Sequence, residues 1–255
     1  MTQKEKRLYL IKYLFAEREE KPFFPESEAE EKRLLRGLFN IRPPKEASGE
    51  FLEIQDSYLK EEINQKGIVR TDGLFPVCGG MYLFSGDITT LDCDAIVNAG
   101  NPALLGCFCP NHGCVDNAIH TYAGVQLRLA CAELMKKQGH EEQTGQAKIT
   151  PAYNLPCRFV IHTVGPIVYG RLTDKDCELL RSCYCSCLKV ADENNLKSIA
   201  FCCISTGEFH FPNEQAAEIA IDTVKKYKAE TQSEIKVIFN VFKDTDYKIY
   251  RDLLG

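Results

Sequence analysis

Cys107, His112 and Cys114 fall within eight residues in a Cys-x4-His-x-Cys spacing, which brings two thiols and an imidazole together without help from distant segments. Thiolate and imidazole are the donors that zinc prefers, and three protein ligands suit a catalytic zinc because a fourth position stays free for water or substrate. A structural zinc is normally closed by four protein ligands. Cys109 stands between the three: as a fourth ligand it closes the site, and otherwise it lines the loop. His120, further along, reads as a packed or hydrogen-bonded histidine rather than a ligand.

Polar residues concentrate around this cluster. Val97-Asn98-Ala99-Gly100-Asn101-Pro102 precedes it and Val115-Asp116 follows it, where a helix start would turn free N–H groups toward a ligand. Ser85-Gly86-Asp87-Ile88-Thr89 offers a carboxylate after an apolar run, able to accept from an exocyclic amine such as that of adenine or to cap the following turn. Ser205-Thr206-Gly207-Glu208-Phe209-His210-Phe211-Pro212 also follows an apolar run, and backbone amides of such a loop can cradle a diphosphate. It has neither the Walker lysine nor the three-glycine dinucleotide fingerprint, so P-loop and standard Rossmann readings fail.

The elements that must position these loops are legible as alternation. Short β-rich runs at Met81–Ser85, Ala95–Asn98, Phe159–Val164, Ser198–Cys203 and Lys236–Val241 are separated by helical patterns at Val115–Met135, Asp174–Asn194 and Asn213–Lys226. That order predicts a mostly parallel sheet covered by helices, with ligands at the carboxyl ends of the strands. Upstream, helical periodicity at Lys4–Glu17, Ser27–Phe39 and Glu50–Lys66 predicts a helical cap, and Gly67–Gly80 reads as a connector. The expected division is an N-terminal helical extension over residues 1–75 and the α/β unit over 76–255.

Composition narrows the class. A hydrophobic share of 44% beside 26% charged residues is that of a soluble globular chain. A net charge of -5 argues against nucleic acid as the main partner, since a phosphate backbone calls for a basic excess. No run approaches the roughly 20 apolar residues that span a bilayer, and the first residues lack a signal peptide's apolar core, so a cytoplasmic location is expected. Thirteen cysteines, an odd number without an export signal, fit reduced thiols, most of them buried as small apolar fillers.

Taken in order, Gly86-Asp87-Ile88-Thr89, Val97-Asn98-Ala99-Gly100-Asn101, Val115-Asp116 with Ile119-His120 and Ala123-Gly124, His162-Thr163-Val164-Gly165-Pro166, and Ser205-Thr206-Gly207 with Phe211-Pro212 resemble the macrodomain family. The resemblance runs from about Met81 to the C-terminus and implies a three-layer α/β/α fold with a mostly parallel mixed central sheet. Within the family the chain is similar to the branch that removes ADP-ribose from proteins. Where most of that branch has a glycine-rich run, the Cys/His segment resembles the zinc-dependent microbial subgroup, whose ligands match Cys107, His112 and Cys114. The resemblance further implies Asp87 and Ile88 at adenine, and Ser205, Thr206, Gly207, Glu208 and Phe209 around the diphosphate. Asn101 and Asp116 would face the distal ribose as the catalytic pair. The implied activity is Zn2+-dependent removal of mono-ADP-ribose from a modified protein, through an Asp/Glu ester-type linkage made by a sirtuin-like ADP-ribosyltransferase. The alternative is a non-catalytic ADP-ribose reader with a structural zinc. Two departures stand out: Gly100 replaces a common alanine, and Glu208 and His210 are polar where relatives carry apolar residues or glycine. His210 is expected to face solvent or to pack.

Overall fold

The computed structural model describes residues 1–255. Each of the first three helices starts on a hydroxyl. Thr2, Ser27 and Ser48 cap α1 (Gln3–Ala16), α2 (Glu28–Ile41) and α3 (Gly49–Lys66), accepting the N–H groups of Glu5, Glu30 and Phe51; such a bond satisfies one of the amides that a helix start leaves unpaired. The inward faces form their own apolar cluster, including Leu10, Leu14, Leu35 and Phe51. Inside it Arg7 is buried against Glu31, Nη2 to Oε2 2.6 Å.

A parallel two-strand ribbon of β1 (Val69–Arg70) and β4 (Leu91–Asp92) stands apart from the main sheet. The main sheet holds β2 (Pro76–Cys78), β3 (Met81–Ser85), β5 (Ala95–Ala99), β6 (Ala147–Pro151), β7 (Phe159–Thr163), β8 (Ser198–Phe201) and β9 (Lys236–Val241). Their order is β2-β3-β9-β8-β5-β7-β6. The five inner strands are parallel and the two edges antiparallel. Ile96, Val97, Ile199, Ala200, Val237 and Ile238 are fully buried, as strands covered on both faces require. The covers are the pair α4 (Val115–Ala123) and α5 (Val125–Gln138), and the group α6 (Asp174–Glu193), α7 (Asn213–Thr231) and α8 (Asp244–Leu254). This is the expected three-layer α/β/α arrangement with a mixed, mostly parallel sheet behind N-terminal helices.

Three expectations are corrected. The single helix over Val115–Met135 is two helices, because Gly124 takes φ +94 and the Gln55 side chain from α3 accepts the N–H of Val125, starting a new helix. The run to Cys203 stops pairing at Phe201, after which the Cys203 carbonyl accepts from Thr206 in a turn. Among the cysteines, Cys183, Cys187 and Cys202 are buried, while Cys185 faces solvent and only six of the thirteen are fully buried. No helix is long and apolar enough to cross a membrane.

Candidate active site at the carboxyl edge of the sheet

Because the inner strands run parallel, their carboxyl ends share one edge of the sheet. Asp87 follows β3, the segment from Gly100 to Cys114 follows β5, and Ser205–Phe209 follows β8. Strands pack about 4.8 Å apart, so β3 and β5, three positions apart, set Asp87 and the Cys/His loop roughly 14 Å from each other along that edge.

The ligand atoms of Cys107, His112 and Cys114 all lie within 4.8 Å of one another. Donors on one tetrahedral zinc stand roughly 3.4–3.8 Å apart, so this set needs only a small contraction to close on the ion. His112 Nδ1 is buried without a hydrogen-bond partner, as a nitrogen reserved for a metal would be. Cys109 is exposed and outside the cluster, which leaves three protein donors. Cys114 also caps α4, its Sγ accepting the N–H of Asn117 at 3.4 Å. Burial, with Cys107 adding to it, pushes the Cys114 thiol up to about 12.

Two residues beyond this cap, Asp116 is almost fully enclosed. Burial raises its carboxyl to about 6, while a hydrogen bond from Asn98 and the charge of Arg128 hold it from rising further. Asn98 Nδ2 donates to Asp116 Oδ1 at 2.8 Å and to His162 Nδ1 at 3.2 Å. An amide N–H can only donate, so His162 Nδ1 is bare and its proton sits on Nε2, 2.9 Å from Thr150 Oγ1. His120 Nε2 lies 3.5 Å from Asp116 Oδ1. Burial holds His120 well below its usual range, so this neutral ring forms no ion pair with Asp116. Both ring nitrogens are buried without a hydrogen-bond partner, and Gly106, at φ +78, crosses the ring so closely that a Cβ would come 2.7 Å from His120 Cγ. Asn101 gives Nδ2 to the Gly106 carbonyl at 3.1 Å and keeps a buried, unpartnered Oδ1. At Gly100 an added Cβ would make ordinary contacts, 3.4 Å from Asn98 Nδ2 and 3.8 Å from Asp116 Oδ1, so the missing alanine methyl has room.

The Ser205–Phe209 loop closes on itself. Ser205 takes φ +65, its carbonyl accepts from Phe211 at 2.9 Å, and His210 donates to the Gly207 carbonyl. The N–H groups of Gly207, Glu208 and Phe209 have no acceptor in the chain, which leaves three successive amides free for an anion. Thr206 donates its hydroxyl to the Cys203 carbonyl, and His210 is exposed. At the opposite end, Asp87 both caps and waits. Its Oδ1 accepts from Thr89 N and Oγ1, and its Oδ2 takes Lys66 Nζ at 2.7 Å. Burial opposes its ionised form, yet Lys66 and Thr89 outweigh that and hold the carboxyl below its usual range. Ile88 follows, buried, in a turn of 3-10 helix.

Residues 97–220 match the family described as "Macro domain". The chain is 56% identical over 264 residues to a protein-ADP-ribose hydrolase of Treponema medium, covering 100% of both chains. It is 47% identical over 255 residues to a protein-ADP-ribose hydrolase of Staphylococcus aureus, covering 98% of this chain and 96% of that one. The chain belongs to the macro domain family. A Trypanosoma brucei macrodomain in complex with ADP-ribose superposes with a TM-score of 0.67 at 31% identity, covering 91% of this chain and 97% of that one.

In this macro domain three residues beside the site, His162, Lys66 and Phe242, went unassigned at the level of sequence, and Glu208, expected in the diphosphate loop, makes a further contact. His162 orients Asn98 from 64 positions away, a separation no local motif reveals. Glu208 Oε1 comes within 3.6 Å of His112 Nε2, joining the anion loop to the Cys/His loop. Lys66 reaches Asp87 from α3 and lies 3.4 Å from the centre of the Tyr122 ring. Phe242, 79% exposed, follows β9, whose Val241 pairs with Ser85 beside the Asp87 turn. An aromatic residue directly after an apolar strand was the available signal for Phe242.

Proposed function

We propose that this macro domain removes mono-ADP-ribose from modified protein side chains, with zinc held by Cys107, His112 and Cys114. The observation that carries the reading is the meeting of those three donors at the start of α4, whose cap Cys114 stands two residues before the enclosed carboxylate of Asp116. Relatives named protein-ADP-ribose hydrolase across the full chain support the activity.

Each end of the cleft has its task. Asp87 accepts the adenine amine beside the Ile88 backbone, and Phe242 offers a ring to the base. Free amides of Gly207, Glu208 and Phe209 hold the diphosphate, with Ser205 and Thr206 fixing the loop's entry. Asn101 presents its unpartnered Oδ1 to a hydroxyl of the distal ribose. Asp116, oriented by Asn98, takes a proton from the water that attacks C1″ as the C1″–O bond to the side chain breaks. Zinc held by Cys107, His112 and Cys114 would supply Lewis-acid stabilisation of developing negative charge. The linkage is an Asp or Glu ester: a carboxylate leaves without a proton, and neither His120 nor His162, both kept neutral by burial, is a ready acid. A sirtuin-like ADP-ribosyltransferase would make such a substrate.

Replacement Cys107→Ala tests the metal role. The variant is expected to lose zinc and turnover on an Asp/Glu-linked substrate while binding ADP-ribose within a few-fold of the parent. Unchanged hydrolysis by the variant with zinc confirmed absent overturns it.

A further inference from the structure

The Cys/His loop is gripped from outside by α2. Arg36 Nε and Nη2 both donate to Asn117 Oδ1, at 3.1 and 2.8 Å, and Nη2 also donates to the His112 carbonyl at 3.1 Å. Asn117 passes the grip on: its Nδ2 donates to the Cys109 carbonyl at 3.0 Å and its backbone N–H to Cys114 Sγ at 3.4 Å. One turn along the same helix face, Asn40 Oδ1 accepts the N–H of Asn111 at 2.9 Å and its Nδ2 donates to Thr121 Oγ1. Between them Gly37 allows the approach, since a Cβ there would sit 3.2 Å from Asn111 Nδ2. Beside this contact an open pocket of about 410 Å³ lies between α2, α3 and α4, with Arg36 and Asn111 in its lining.

We infer that Arg36, a residue of the N-terminal extension, is a positioning residue for the Cys/His loop: through Asn117 and the His112 carbonyl it holds Cys107, His112 and Cys114 in register. The metal part of this inference rests on the zinc reading above; the loop part does not. Arginine suits the post because its planar fork bonds Asn117 Oδ1 and the His112 carbonyl from one side chain. Groups that orient metal ligands from behind typically carry a 10–100-fold share of metal affinity.

The test compares the full-length parent, Arg36→Ala, Arg36→Lys and the control Arg33→Ala, a neighbouring exposed residue with no hydrogen bond or ion pair. Amide exchange across residues 107–114 is measured on metal-free protein, and zinc affinity by competition with a chromophoric chelator. Arg36→Ala is expected to speed exchange in that segment and to weaken zinc binding about 10–100-fold. ADP-ribose affinity and the unfolding temperature should stay near the parent's, Arg36→Lys should recover part of the loss, and Arg33→Ala should match the parent. Unchanged exchange in 107–114 of Arg36→Ala overturns the inference whether or not zinc binds; faster exchange in that variant, when the parent takes up no zinc, upholds the clasp and overturns only the metal reading.

Discussion

At Asp116 a single carboxylate is enclosed, bonded to Asn98, and placed two residues from a candidate metal ligand. The residues that surround it explain its orientation better than its own motif does. Cys107, His112 and Cys114 were legible as a cluster in the sequence because their spacing is local, whereas Cys109, between them in sequence, is exposed and lies outside the group. His162 was not legible as a support, because it meets Asn98 only when β5 and β7 pair. Its state carries a stability prediction. Burial drops His162 from an ordinary 6.5 to about 4, so as pH falls the unfolded chain takes up this proton first. The stabilisation is therefore complete above about 6.5 and is lost as pH falls toward 4, a cost of about 2 kcal/mol by pH 5. His120, also held neutral by burial, adds to this loss and the raised carboxyl of Asp116 opposes it, so the His162 share is read as a difference between parent and variant, about 2–4 °C per kcal/mol between pH 7 and pH 5. His162→Gln, less stable at pH 7, should show a shallower decline; equal slopes contradict this account of the buried ring.

Among the elements, the inner parallel strands and the flanking helices were legible because apolar runs and helical periodicity alternate cleanly. The edges β2 and β6 were not, since β2 is short and exposed and β6 is half-buried and ends on Pro151. The break at Gly124 also escaped periodicity, because its cause is Gln55 on a distant helix. Loop against loop, Gly165 after β7 packs under Ser205 so tightly that a Cβ would come 2.1 Å from Ser205 Oγ and 2.9 Å from Ile204 Cγ2. Val168 also donates to the Phe209 carbonyl at 2.9 Å. Gly165→Ala must therefore push aside the Ser205 and Ile204 side chains, and the Ser205–Phe209 loop is expected to shift with them. Calorimetric titration should show ADP-ribose affinity falling tenfold or more with zinc content unchanged; parent-like affinity contradicts the assignment of Ser205–Phe209 as the diphosphate cradle.

For the molecule as a whole, the sequence foretold a helical cap without saying why it is there. The cap reaches the cleft twice, through Lys66 at Asp87 and through Arg36 at the Cys/His loop. Arg128 in α5 adds a third tie, donating to the carbonyls of Phe39, Arg42 and Leu105. Ile63 of α3 sits in the main core, so we read 1–75 as an extension that completes the unit of 76–255 and shares its interior. We propose that the whole unit binds ADP-ribose without zinc and cleaves the linkage only with it. The direct measurement is hydrolysis of an Asp/Glu-linked mono-ADP-ribosylated protein by the full chain carrying zinc, by the same preparation stripped with chelator, and by the stripped protein refilled with zinc. Turnover is expected to vanish on stripping and return on refilling, with ADP-ribose binding retained throughout. Full hydrolysis by stripped, still-folded protein would contradict it.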